Sequence, residues 1–231
     1  MLPSTYVQIL FKYYPSQFER RFNANSNTLR EFWGGFLRQP RCAAWASRHP
    51  YLRGKSVADL VCCVPCTLHT GAGPCTKTAS CNVISFSGLL NGGSEMLSKF
   101  VICTYLKTDS HGDYISWERI VQDFDALASG VLDGEFVAKS GRNTWKCILL
   151  VCKSDEEVKV NEFGFPSWSS AENCMDCMGN DTTRPWTDLS RGAGWRPTEE
   201  VSLDVWRARF RKPDHPLVRS HYNCDRCFSS S

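Results

Sequence analysis

The sequence predicts an α/β protein built on a mixed sheet. Three observations carry that expectation. Residues 64–70 and 80–86 are β-forming runs separated by a turn read at Gly71-Ala72-Gly73-Pro74, as in an antiparallel strand pair. Residues 116–132 carry an apolar stripe at helical spacing. Residues 145–152 are a near-continuous apolar run, the pattern of a central strand covered on both faces. Parallel neighbours need a crossover connection. The run at 145–152 is therefore expected to lie parallel to 64–70, joined to it through the helix at 117–132.

Composition sets the bounds. The chain has 231 residues, 42% apolar and 22% charged, an ordinary globular balance. A net charge of +3 is too mild to argue for nucleic acid by itself. The start Met-Leu-Pro-Ser-Thr-Tyr lacks the basic and apolar regions of a signal peptide. No run approaches the roughly 18 apolar residues of a membrane span, so no membrane partner is expected. Thirteen cysteines is an odd count, which suits reduced thiols and metal ligands in an intracellular protein better than a disulfide framework.

The elements follow in order. Tyr6, Ile9, Leu10 and Tyr13 recur at helical spacing, and Pro15 ends that helix. Phe18 and Phe22 mark a second short helix. Asn27 or Thr28 would cap a third, with Leu29, Phe32, Trp33, Phe36 and Leu37 on one face, and Pro40 stops it. Arg20, Arg21, Arg30, Arg38, Arg41 and Arg48 make this segment basic. It reads either as a nucleic-acid-binding module or, the favoured reading, as solvated faces of packed helices. Residues 49–55 form a linker, and Ser56 starts a short helical turn through Leu60.

The third strand is expected at 99–106. Ser116 would cap the long helix, whose stripe is Trp117, Ile120, Val121, Phe124, Leu127, Ala128 and Val131. Asp155, Glu156 and Glu157 lead into a short helix closed by Gly164 and Pro166. From Ser167 the chain is loop-rich, with Trp168, Trp186, Trp195 and Trp206 and one helix at 198–211. The division is 1–55 helical, 56–166 α/β core, and 167–231 cysteine- and tryptophan-rich.

Three pairs have the Cys-x-x-Cys spacing, which lets two thiolates reach one tetrahedral zinc: Cys63/Cys66, Cys174/Cys177 and Cys224/Cys227. Cys174, Cys177, Cys224 and Cys227 could share one structural zinc, with His215 or His221 as alternative ligands, or they could be two unconnected thiol pairs. Cys66 sits in an alternating strand, so Cys63 and Cys66 read as core. The order strand-strand-strand-helix-strand-helix matches the first part of a ribonuclease-H-like domain. There, two-metal phosphoryl chemistry takes one acid from the first strand and one from the end of the fourth. Asp155 is placed for the second role. Residues 67–73 contain no acid for the first, which favours Asp155 as a first-turn helix acid.

Leu68-His69-Thr70-Gly71-Ala72-Gly73-Pro74, the stretch from Asp155 to Phe165-Pro166, and Cys174-x-x-Cys177 with Arg184-Pro185-Trp186-Thr187-Asp188-Leu189 and Ala193-Gly194-Trp195 resemble a large family of uncharacterised protist proteins. That family is similar to transposase-derived proteins with a ribonuclease-H-like core. The resemblance covers about Trp33 to Cys227. Members typically carry an aspartate where Gly71 stands and continue into further acidic and histidine motifs. It implies a degenerate, truncated member in which Asp155 is a catalytic remnant. The expected function is a catalytically inactive, transposon-derived protein with a structural zinc, a DNA or RNA partner and a nuclear location. The alternatives are an active divalent-metal-dependent nuclease or transposase, and a structural zinc-binding interaction module.

Overall fold

The computed structural model describes residues 1–77, 79–91, 98–106, 113–132, 134–140, 143–161, 163–165, 187, 190, 193, 215–219 and 228–229. The expected helix at 198–211 and the expected tryptophan-rich loops therefore fall almost wholly outside the described residues.

Four helices open the chain: α1 (Pro3–Tyr13), α2 (Pro15–Phe22), α3 (Ser26–Arg38) and α4 (Pro40–Arg48). Prolines at the start of α1, α2 and α4 occupy positions whose N–H would be unpaired in any case. The cap of α3 is Asn25, not Asn27 or Thr28: its side chain accepts from the backbone N–H of both. Asn23, at φ 47°, turns the chain between α2 and α3. The helical turn Val57–Leu60 follows, closed by a reciprocal Ser56–Asp59 capping box.

The sheet has the order β3-β2-β1-β8-β9. Its strands are β1 (Cys63–Pro74), β2 (Ser80–Gly88), β3 (Phe100–Leu106), β8 (Lys146–Ser154) and the short β9 (Phe228–Ser229). β1 runs antiparallel to β2 and parallel to β8, as the sequence predicts, and β2 runs antiparallel to β3. β9 adds a parallel strand beside β8 that the sequence reading missed. The connection from β3 to β8 passes through α5 (Asp113–Ser129) and the small hairpins β4–β5 (Val131–Leu132, Glu135–Phe136) and β6–β7 (Lys139–Ser140, Asn143–Thr144). α6 (Glu156–Asn161) follows β8, and α7 (Pro216–Arg219) is a single turn.

Two boundaries need correction. The expected turn at Gly71-Ala72-Gly73-Pro74 is strand: these residues pair with Val83, Asn82, Cys81 and Ser80. The reversal comes later, where Cys75 and Thr76 donate backbone N–H bonds to the Ala79 carbonyl, and the Ala79 N–H bonds the Thr76 hydroxyl. The long helix begins one turn before Ser116 and ends at Ser129, because Gly130 takes φ 82°.

One core holds these parts together. Phe86, in β2, meets Tyr6 of α1, Phe22 of α2, Phe100 of β3 and Phe124 of α5, with ring centroids 5.3–6.1 Å apart. Trp117, Ile120, Phe124, Leu127 and Ala128 of the expected stripe are buried, Val121 is half-buried, and Val131 lies beyond the helix in β4 and is exposed. The Trp33 indole, fully buried, donates to the Cys63 carbonyl at 2.8 Å and ties α3 to the start of β1. No described helix is long and apolar enough to cross a membrane.

Candidate functional site: the Asp155 junction

The parallel register of β1 and β8 ends at the pair Thr70–Ser154. The next residues, Gly71 and Asp155, are therefore neighbours across the strand ends. Here β8 stops and the chain turns into α6. One Asp155 oxygen (Oδ1) accepts the backbone N–H of Val158 at 2.8 Å, an N-cap bond. The other (Oδ2) accepts the backbone N–H of Ala72 at 2.7 Å. Beyond the end of β8, that amide has lost its neighbouring strand, and the carboxylate takes the strand's place. Both bonds are charge-assisted and short. Asp155 is thus a latch that joins α6 to the far end of β1.

Gly71 permits the close approach. A Cβ built on it would lie 3.3 Å from Asp155 Oδ2. The position that would offer the first acid of a two-metal site instead presents bare backbone to the second. Two-metal chemistry needs several carboxylates holding ions about 4 Å apart. Among the described residues no group of three or more histidines, cysteines, aspartates or glutamates could hold a metal ion. Asp155 with Gly71 and Ala72 does not fit such a centre. Asp176 and Asp188, the acids of the C-terminal segment that could substitute for the missing one, lie outside the described residues.

Cys174, Cys177, Cys224, Cys227 and His221 also lie outside the described residues. His215 is described, and it is buried between Trp117 and Phe163, at ring-centroid distances of 5.1 and 4.9 Å. Its Nδ1 accepts the Leu217 backbone N–H at 3.2 Å, which commits that nitrogen to the start of α7.

Cys63 and Cys66 are core residues, as their strand position predicts. Burial pushes the Cys63 thiol up to about 12. A hydrogen bond with Cys147, then complete burial, raises Cys66 well above the ordinary thiol range. Neither supplies a thiolate near neutral pH.

Two arrangements escaped the sequence reading. Asp123 of α5 is buried and accepts both the backbone N–H of Ser4 (2.7 Å) and its hydroxyl (2.5 Å), capping α1 from another element. Nothing local in either segment signals this pairing. The second is the diagonal placement of Cys75 and Cys81 across the tip of the β1–β2 hairpin.

No protein-family model matches the chain, and no curated protein or solved structure gives a significant match.

Proposed function

We propose that this chain is a transposon-derived, ribonuclease-H-like protein that binds DNA or RNA without cutting it. The observation that carries the reading is the junction. Asp155 bonds two backbone amides and faces Gly71, so the acid at the end of the fourth core strand is used for structure. The fold assignment is supported by the sheet order β3-β2-β1-β8-β9, with β2 antiparallel, β8 parallel to β1, and α5 in the connection between β3 and β8. Cys174, Cys177, Cys224 and Cys227 would hold a structural zinc that stabilises the C-terminal segment. A nuclear location would follow from the partner.

Charge distribution supports the nucleic-acid partner. Residues 1–55 contain nine lysines and arginines against two acids, so they carry more than the whole +3 of the chain. Arg20, Arg30, Arg38, Arg41, Arg48 and Arg53 are exposed. Arg30 and Arg38 stand two helical turns apart on α3 with Gly34 between them, and no Cβ there blocks a phosphate backbone.

The test is fluorescence anisotropy with labelled single- and double-stranded DNA and RNA across a salt series. Affinity should fall log-linearly with salt, with a slope of about −0.7 to −0.9 per phosphate neutralised. Charge reversal at Arg30 and Arg38 should weaken binding to all sequences alike and flatten the slope. Absence of binding at low salt, or binding indifferent to these substitutions, would reject this interface. Metal analysis of the purified chain tests the zinc. About one zinc per chain, lost on substituting Cys174 and Cys224 by serine, is expected.

A further inference from the structure

The tip of the β1–β2 hairpin carries two thiols that the proposed function leaves unused. The register pairs Gly73 with Cys81 and Pro74 with Ser80. Continuing it sets Cys75 opposite Ala79, where the backbone bond from Cys75 N–H to the Ala79 carbonyl is 3.0 Å. Cys75 and Cys81 then lie diagonally across the hairpin, on the same face as Gly73, which has no side chain to intervene. The turn is pinned by a second N–H bond, from Thr76 to the same carbonyl at 3.1 Å, and by the Thr76 hydroxyl. Cys75 Sγ also donates to that carbonyl, at 3.3 Å. Cys75 is exposed and Cys81 half-buried, unlike the core thiols Cys63, Cys66, Cys147 and Cys152.

We propose that Cys75 and Cys81 form a thiol–disulfide exchange site that reacts with low-molecular-weight disulfides and closes to an intramolecular disulfide across the hairpin. Cys75, the exposed thiol, attacks first as its thiolate. It forms a bond to one sulfur of the small disulfide and breaks that S–S bond, and the departing thiolate takes up a proton. Cys81 then loses its proton and attacks the Cys75 sulfur, forming the protein disulfide and expelling the second small thiol. Two cysteine thiols are oxidised by two electrons, and the small disulfide is reduced to two thiols. The order follows from access: Cys75 is exposed to a small disulfide, whereas Cys81 is half-buried.

The test uses the full chain, folded, equilibrated with mixtures of oxidised and reduced glutathione. It is then acid-quenched, alkylated and mapped by mass spectrometry. The expected product links Cys75 to Cys81, with little glutathione retained on Cys75. In the Cys81→Ser variant the Cys75–glutathione adduct should accumulate at least about tenfold, because the resolving thiol is gone. Dissolving the wild-type chain in urea should lower the yield of the linked pair by about tenfold, because the hairpin no longer holds the thiols together. Circular dichroism confirms that the variant is folded. Persistent glutathione on wild-type Cys75, a bond from Cys75 to another cysteine, or thiols still reduced at the most oxidising ratio would overturn the proposal.

Discussion

Asp155 is bound on both sides by backbone: the Val158 N–H donates to one oxygen and the Ala72 N–H to the other. Hydrogen bonds to a charged group contribute about 1.5–3 kcal/mol each, less where water competes, and Asp155 is half-buried. Asp155→Ala should therefore destabilise the chain by about 2 kcal/mol in urea unfolding, more than an ordinary surface change. A loss below about 0.5 kcal/mol would mean the latch contributes little. Asp123 makes a different prediction. Burial, the largest effect, raises it above the ordinary carboxylate range, against a smaller lowering by the Ser4 hydrogen bonds. The folded state then binds the proton more tightly than the unfolded state. The stability linked to this group is fully present below the ordinary value and is lost as pH rises through the raised one. Relative to Asp123→Asn, the wild type should gain stability between pH 7 and pH 3.5. Unfolding curves for both proteins at the two pH values read this directly, and a wild type that loses ground on acidification would contradict it.

Elements meet where side chains are missing as well as where they are large. Gly88 ends β2 against α2: a Cβ there would lie 2.9 Å from the Phe22 Cα and 3.0 Å from the Arg21 carbonyl. Both are backbone atoms and cannot swing away. Gly88→Ala should cost about 1–3 kcal/mol and lower the melting temperature, as calorimetry would show. An unchanged transition would mean that α2 shifts freely on the sheet. Much of this level was legible in sequence. The stripe of α5, the apolar run of β8 and the parallel pairing of β8 with β1 all follow from periodicity and continuous apolar character. The glycines misled because Gly71 and Gly73 are paired, extended strand, Gly71 beside Asp155 and Gly73 with open space where a Cβ would stand, while the reversal uses Thr76 and Ala79, which carry no turn signature. Asn25 was missed as a cap because Asn27 and Thr28 offer the same chemistry two and three residues on. Asp155 as a helix-starting acid was readable from its position, but its bond to Ala72 depends on tertiary register.

At the scale of the whole molecule, the basic N-terminal helices and the sheet share one hydrophobic core, from Val7 and Phe22 through Phe86 to Phe124 and Leu150. The segment at 1–55 is part of the packing that makes the sheet stable. A chain beginning at residue 56 would expose the face of Phe86 that Tyr6 and Phe22 cover and would leave Trp33 absent from Cys63. It should show no cooperative thermal transition, and a sharp transition near that of the full chain would show the sheet to be independent. Function divides similarly in this account: the helices supply positive charge, the sheet holds them in place, and the junction at its end is structural.

The central claim is that Asp155 is a latch without a catalytic task. The most direct measurement is cleavage or strand joining of DNA and RNA by the purified full chain in magnesium or manganese, with Asp155→Asn measured in parallel. We predict no turnover from either protein. Gly71→Asp should also give none, because an acid beside Asp155 still lacks further ligands among the described residues. Metal-dependent turnover by the wild type, abolished in a folded Asp155→Asn variant, would contradict the account and make Asp155 a catalytic residue.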